Sequence, residues 1–288
     1  MDTIVPAALL YPGLLCLGLL VGSFLNVVIY RLPLMMETRW RRDCCELLEL
    51  DAERQEAPLN LATPNSHCPQ CKVAIKPWQN IPVLSYLLLG GKCSNCEAPI
   101  SPRYPIIELV TGLMTLSLAW FFELSPALLG AVLLTWSLIA LTMIDFDHQL
   151  LPDDITLPLL WLGLLFNLGG TYVSLADAVI GAMAGYLILW TVYQCFRLLT
   201  GKEGMGYGDF KLLAALGAWM GWQMLPEIIL ISSVVGALCG IALIVFKRRG
   251  REIPIPFGPY LAIAGWLALL WGDGTYGSVF AKLGIHLV

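Results

Sequence analysis

Apolar positions along the chain gather into eight long runs, at residues 4–30, 104–122, 126–144, 155–176, 178–196, 210–225, 228–246 and 253–271. A helix needs about 20 mostly apolar residues to cross the hydrocarbon layer, so each run predicts a transmembrane helix, with 210–225 the shortest. The only polar interval long enough to fold by itself is 32–103. The pattern therefore predicts an all-α polytopic membrane protein of about eight transmembrane helices, with a loop domain between the first and second. It divides the chain into a first helix (4–31), the loop domain (32–103), a seven-helix membrane core (104–272) and a short C-terminal tail (273–288).

Composition supports this reading. Hydrophobic residues make up 58% of the chain and charged ones 13%, against roughly 25% charged in an average soluble domain. Mean hydropathy is +0.74. Basic residues set the orientation, because Lys and Arg beside spans are retained on the cytoplasmic side. With the N-terminus outside, sixteen of the seventeen basic residues fall on inner segments and only Lys282 falls outside. The first run lacks a basic leader region and a small-residue cleavage site, so it reads as an anchor rather than a removable signal. The apolar composition makes membrane lipid the surrounding partner, and a net charge of -4 with a pI near 5.4 argues against nucleic acid.

The loop domain carries "CPQC" and "CSNC", which place Cys68, Cys71, Cys93 and Cys96 in two CxxC pairs separated by 21 residues. Each pair can present two thiolates from one tight turn, and two such turns close a tetrahedral shell around zinc. Disulfides are the alternative, but the orientation puts this loop in a reducing compartment. Four protein ligands leave no open position for water, so the expected zinc is structural. Cys16, Cys195 and Cys239 lie inside apolar runs and read as small hydrophobes, while Cys44 and Cys45 sit in a charged, solvated helix. "IPVLSYLLLGG" (81–91) is apolar but too short to span; it can lie against the membrane surface or against the zinc turns.

Ionisable groups near a membrane are costly and tend to be functional. "MIDFDHQLLPDD" closes the third run with Asp145, Asp147, Asp153 and Asp154, and "GMGYGDF" opens the sixth with Asp209. In the orientation above, both clusters lie at the same depth on the cytoplasmic side. Two carboxylates sharing a proton can activate water and protonate a leaving amine, which is aspartyl protease chemistry. Asp145 continues the helix directly, whereas Asp147 points to another side and Asp153 follows a proline. Asp145 and Asp209 are the expected catalytic pair. Gly206 and Gly208 are expected to let the backbone turn and approach closely beside Asp209. His148 shares a face with Asp145 and reads as a supporting or interfacial group. Asn26, Arg31 and Glu108 read as polar groups at helix ends. A proton-coupled transporter using paired carboxylates is the alternative function, and it would require inverted repeats and charges deep within spans.

These motifs resemble the type IV prepilin peptidases. The likeness rests on "GSFLNVVIYRLP" (22–33), the two CxxC pairs, "IDFDHQLLPD" (144–153), "GMGYGDFKL" (204–212) and "PIPFGPYLA" (254–262), in order along nearly the whole chain. The resemblance implies a GxGD intramembrane aspartyl protease of the bacterial inner membrane, with Asp145 and Asp209 as its catalytic pair. It implies prepilins of type IV pili and pseudopilins of type II secretion as substrates, cut at the cytoplasmic face. It further implies N-methylation of the new N-terminal residue, commonly Phe, with S-adenosylmethionine as methyl donor. No strand, Gly-rich loop and helix of a familiar adenosylmethionine fold is visible in the sequence, and the resemblance places that site only loosely, by the zinc loop and residues 22–31.

Overall fold

The computed structural model describes residues 7–50, 59–247 and 256–272. The expected C-terminal tail at 273–288 and the basic stretch at 248–251 lie outside the described residues. The described residues are almost wholly helical, with no strand beyond two isolated antiparallel bridges, His67 to Ala74 and Lys92 to Pro99. The helices are α1 (Ala7–Leu47), α2 (Leu84–Leu88), α3 (Arg103–Phe121), α4 (Pro126–His148), α5 (Asp153–Leu168), α6 (Leu175–Thr200), α7 (Tyr207–Met220), α8 (Leu225–Lys247) and α9 (Gly258–Trp271).

Apart from the five-residue α2, every helix coincides with an apolar run. Five are long and apolar enough to cross a membrane, while α5, α7 and α9 have 16, 14 and 14 residues. The first run does not end at Tyr30: α1 continues as one helix of 41 residues through Pro33 and into the charged stretch. At 1.5 Å per residue it is about 60 Å long, twice the hydrocarbon thickness, so its charged half projects beyond the apolar layer.

The chain forms two compact units, Met1–Ser117 and Leu118–Val288. In the first unit α1 and α3 pack closely at small residues. A Cβ on Gly22 would sit 2.7 Å from the Glu108 Cα, and one on Gly18 would sit 2.8 Å from the Gly112 Cα. The polar residues here fasten backbone; of the three expected at helix ends only Glu108 is near one, since Asn26 and Arg31 fall in the interior of the long α1. Asn26 donates to the Gly22 and Tyr104 carbonyls, each at 3.2 Å, and Glu108 accepts the Val83 amide at 2.7 Å. Buried Arg31 donates to the carbonyls of Asn60 at 2.9 Å and Pro64 at 2.6 Å, holding the start of the loop segment.

In the second unit the short helix α7 is the centre. It packs against α5, α6 and α9, and its residues from Asp209 to Met220 are buried except Lys211. Small residues permit this: a Cβ on Gly181 of α6 or on Gly217 of α7 would collide with the other helix's backbone. The far end of α7 is closed by Asn167, whose amide donates to the Ala218 and Trp219 carbonyls at 2.9 and 3.0 Å. The same side chain accepts the Tyr172 and Val173 amides at 3.0 and 3.2 Å. Buried Asn167 thereby satisfies orphan carbonyls at a helix end where water has little access.

Candidate active site

Asp145 lies in the last turn of α4, which stops because Gln149 takes a left-handed conformation (φ 53) and returns its amide to the Asp145 carbonyl. Asp209 lies in the first turn of α7, capped by Gly206. Both side chains are buried, at 5% and 7% exposure, and Leu151 links them, packing against Gly258 beside the Asp145 carboxylate and against Gly208, the residue before Asp209. The structure thus brings the two expected aspartates to one place in the second unit. Asp145 Oδ2 is buried and without a hydrogen-bond partner.

The glycines around the pair divide into two kinds. Gly208 is a close approach: a Cβ there would fall 2.7 Å from the Leu151 Cβ. Gly206 has ordinary extended backbone (φ -82, ψ 150), and an added Cβ would lie 4.0 Å from Asp209 Oδ2. Its missing side chain leaves the approach to that carboxylate open. Gly258, the first residue of α9, is tighter, since a Cβ there would come within 2.6 Å of Asp145 Oδ2 and 3.2 Å of Leu151 Cδ1. Residues 254–262 stood out in the sequence as a motif, but only the packing shows that Gly258 walls the Asp145 carboxylate. Leu151 lies within the 144–153 motif but nothing in the sequence singles it out, and it packs beside both glycines.

The other acidic residues fall elsewhere. Asp153 opens α5 and receives the Lys211 ammonium on both oxygens at 2.7 Å, fastening the start of α5 to the first turns of α7. Asp147 and His148 are exposed at the end of α4, whereas Asp145 is buried.

The four loop cysteines also converge. Their Sγ atoms all lie within 4.8 Å of one another, and Cys68 Sγ is 3.8 Å from Cys96 Sγ. Metal–sulfur bonds of about 2.3 Å give a tetrahedron with edges of about 3.8 Å, so the donor set fits a metal ion. None of the described cysteines is in a disulfide.

The two turns are built alike. Cys68 donates its amide to Val73 and accepts from Lys72, and Cys93 does the same with Ala98 and Glu97. Lys72 (φ 58) and Glu97 (φ 57) hold the left-handed backbone that closes each turn. Backbone amides turned toward two of the sulfurs favour their thiolates, while Cys96 is pushed up to about 11 by burial and the neighbouring thiols. The Asn95 and Cys96 amides hold the Cys93 thiol down at about 6, and the Val73 amide lowers Cys71.

Comparison with known proteins places both halves. Residues 16–122 match the bacterial peptidase A24 N-terminal domain and residues 132–241 match the type IV leader peptidase family. The chain is 58% identical over 271 residues to the prepilin leader peptidase/N-methyltransferase of Stutzerimonas stutzeri, covering 93% of this chain and 94% of that one. The proteins of that name from Pseudomonas aeruginosa and Aeromonas hydrophila are 58% and 60% identical over 257 residues, covering 89% of each chain. No solved structure matches the chain.

Proposed function

The chain belongs to the type IV leader peptidase family, and on that premise we propose that it removes the leader from prepilins and then N-methylates the new N-terminal residue. The substrates are prepilins of type IV pili and pseudopilins of type II secretion, and the new first residue is commonly Phe. Convergence of buried Asp145 and Asp209 from the ends of two helices, around Leu151, carries this reading. One carboxylate takes a proton from water as it attacks the scissile carbonyl. The other donates a proton to the leaving amine. Gly206 leaves the approach to Asp209 open, while Gly208 and Gly258 let neighbouring backbone close around the pair. The transporter alternative is set aside because the relatives are named as peptidases and methyltransferases.

Cys68, Cys71, Cys93 and Cys96 hold zinc in a structural role, ordering a loop too small and polar to rely on a large core. S-adenosylmethionine supplies the methyl group. The protein sits in the bacterial inner membrane with its N-terminus outside, its loop domain (32–103) and its aspartates facing the cytoplasm. The test incubates the purified chain in detergent with a prepilin and labelled S-adenosylmethionine, reading cleavage and methyl transfer separately. Both products support the assignment, and a folded chain that yields neither contradicts it.

A further inference from the structure

The apolar segment around α2 takes no part in the aspartate pair or the cysteine turns. Leu84, Leu87 and Leu88 stand at positions i, i+3 and i+4, so they share one face of the helix. They are 50%, 68% and 73% exposed, with Ile81 beside them at 45%. Tyr86 instead points back to the second cysteine turn, where its hydroxyl would lie 3.0 Å from a Cβ on Gly91. The segment thus folds with one side on the loop domain and an open leucine face on the other.

Its depth is set by a specific tether. Val83, the residue before α2, donates its amide to Glu108 Oε2 at 2.7 Å. This bond holds a β-branched residue at φ 60, a backbone conformation such residues rarely adopt. Glu108 lies within the apolar run of α3, five residues past Arg103, which is about 7 Å along the axis at 1.5 Å per residue. It faces Gly22, itself eight residues short of the end of the first apolar run at Tyr30. The tether therefore draws α2 to the level at which two membrane-crossing helices enter the hydrocarbon. Amphipathic segments lie in the interface at about 5–10 Å depth, with basic residues toward the headgroups. Exposed Lys76 and Lys92 flank this segment on either side.

We infer that Ile81, Leu84, Leu87 and Leu88 form a lipid-docking face that seats the loop domain in the headgroup and acyl boundary of the membrane. The carboxylate of Glu108 acts as the depth stop. This inference rests on the membrane character of α1 and α3 and not on the proposed activity. Exposed leucines of this number would be costly in water and are stabilising against acyl chains.

The test places a photo-activatable diazirine amino acid at position 88, and in a second chain at position 87, with position 97 on the exposed rim of the second cysteine turn as reference. Each full-length chain is reconstituted in nanodiscs of phosphatidylethanolamine and phosphatidylglycerol, irradiated, and analysed for adducts by mass spectrometry. Phospholipid adducts at 87 and 88, about tenfold or more above those at 97, are expected for side chains in the interface. Adducts with water at the level of position 97, or crosslinks from 87 and 88 into another protein segment or a second copy, would overturn the assignment. If one labelled chain fails to fold, the other carries the same readout.

Discussion

At the residue scale, Asp145 and Asp209 were legible because a carboxylate bordering an apolar run has no ordinary reason to be there. What the sequence did not disclose is how closely they are enclosed. Gly258 is one residue in a motif of several prolines and aromatics, and its role emerges only because α9 begins against the end of α4. A methyl group at 258 would press on Asp145 Oδ2 from 2.6 Å. Relieving that overlap shifts the carboxylate by on the order of 1 Å, and a misplacement of that size costs about 100-fold in rate, so Gly258→Ala should lower leader cleavage by that factor. The measurement is kcat for cleavage alongside methylation of a pre-cleaved pilin. Cleavage at the unaltered rate would remove Gly258 from the site. Asn167 was equally silent in the sequence, as a lone polar residue near the end of an apolar run. The two hydrogen bonds its amide donates depend on the ends of α5 and α7 meeting.

Element by element, apolar length was a reliable guide to which segments are helical and a poor guide to where they stop. The run at 155–176 ends as α5 at Leu168, because Gly169 and Gly170 follow and Asn167 engages the backbone beyond them. The run at 178–196 begins earlier, at Leu175, because the Ser174 side chain accepts the Asp177 amide and caps α6. The shortest run became the buried α7, which is only about 21 Å long and relies on its neighbours for partners at its ends. This gives Asn167 an element-level consequence. Asn167→Leu should leave the Ala218 and Trp219 carbonyls unpaired inside the unit and destabilise it by on the order of 3 kcal/mol. Chemical denaturation in detergent measures this, and stability within experimental error of the parent would show that the end of α7 is held otherwise.

On the scale of the whole molecule, the chemistry is distributed over two compact units. The tetracysteine cluster belongs to Met1–Ser117 and the aspartates to Leu118–Val288. Metal analysis of the purified chain should find about one zinc, and Cys68→Ser or Cys93→Ser should lose it together with protease resistance of the loop. A chain with no zinc and four titratable thiols in the folded state would contradict the metal assignment. The same division predicts separable activities. Methyl transfer requires a deprotonated amine, which a neighbouring carboxylate pair would disfavour. A substitution at Arg31, or within residues 90–92, should therefore yield a chain that removes leaders but no longer methylates. Parallel assays of both products on each variant check this. Loss of the two activities in strict proportion throughout would indicate one shared site.

The measurement that bears most directly on the aspartate pair compares Asp145→Asn, Asp209→Asn and the exposed control Asp147→Asn in detergent, using a prepilin for cleavage and a pre-cleaved pilin for methylation. Asparagine keeps the shape of the side chain but cannot carry the proton. The first two variants should lose cleavage by about 1,000-fold or more while remaining folded and still methylating the pre-cleaved substrate. Asp147→Asn should retain most of its cleavage. Near-normal cleavage by either Asp145→Asn or Asp209→Asn would contradict the assignment of these two residues as the catalytic pair.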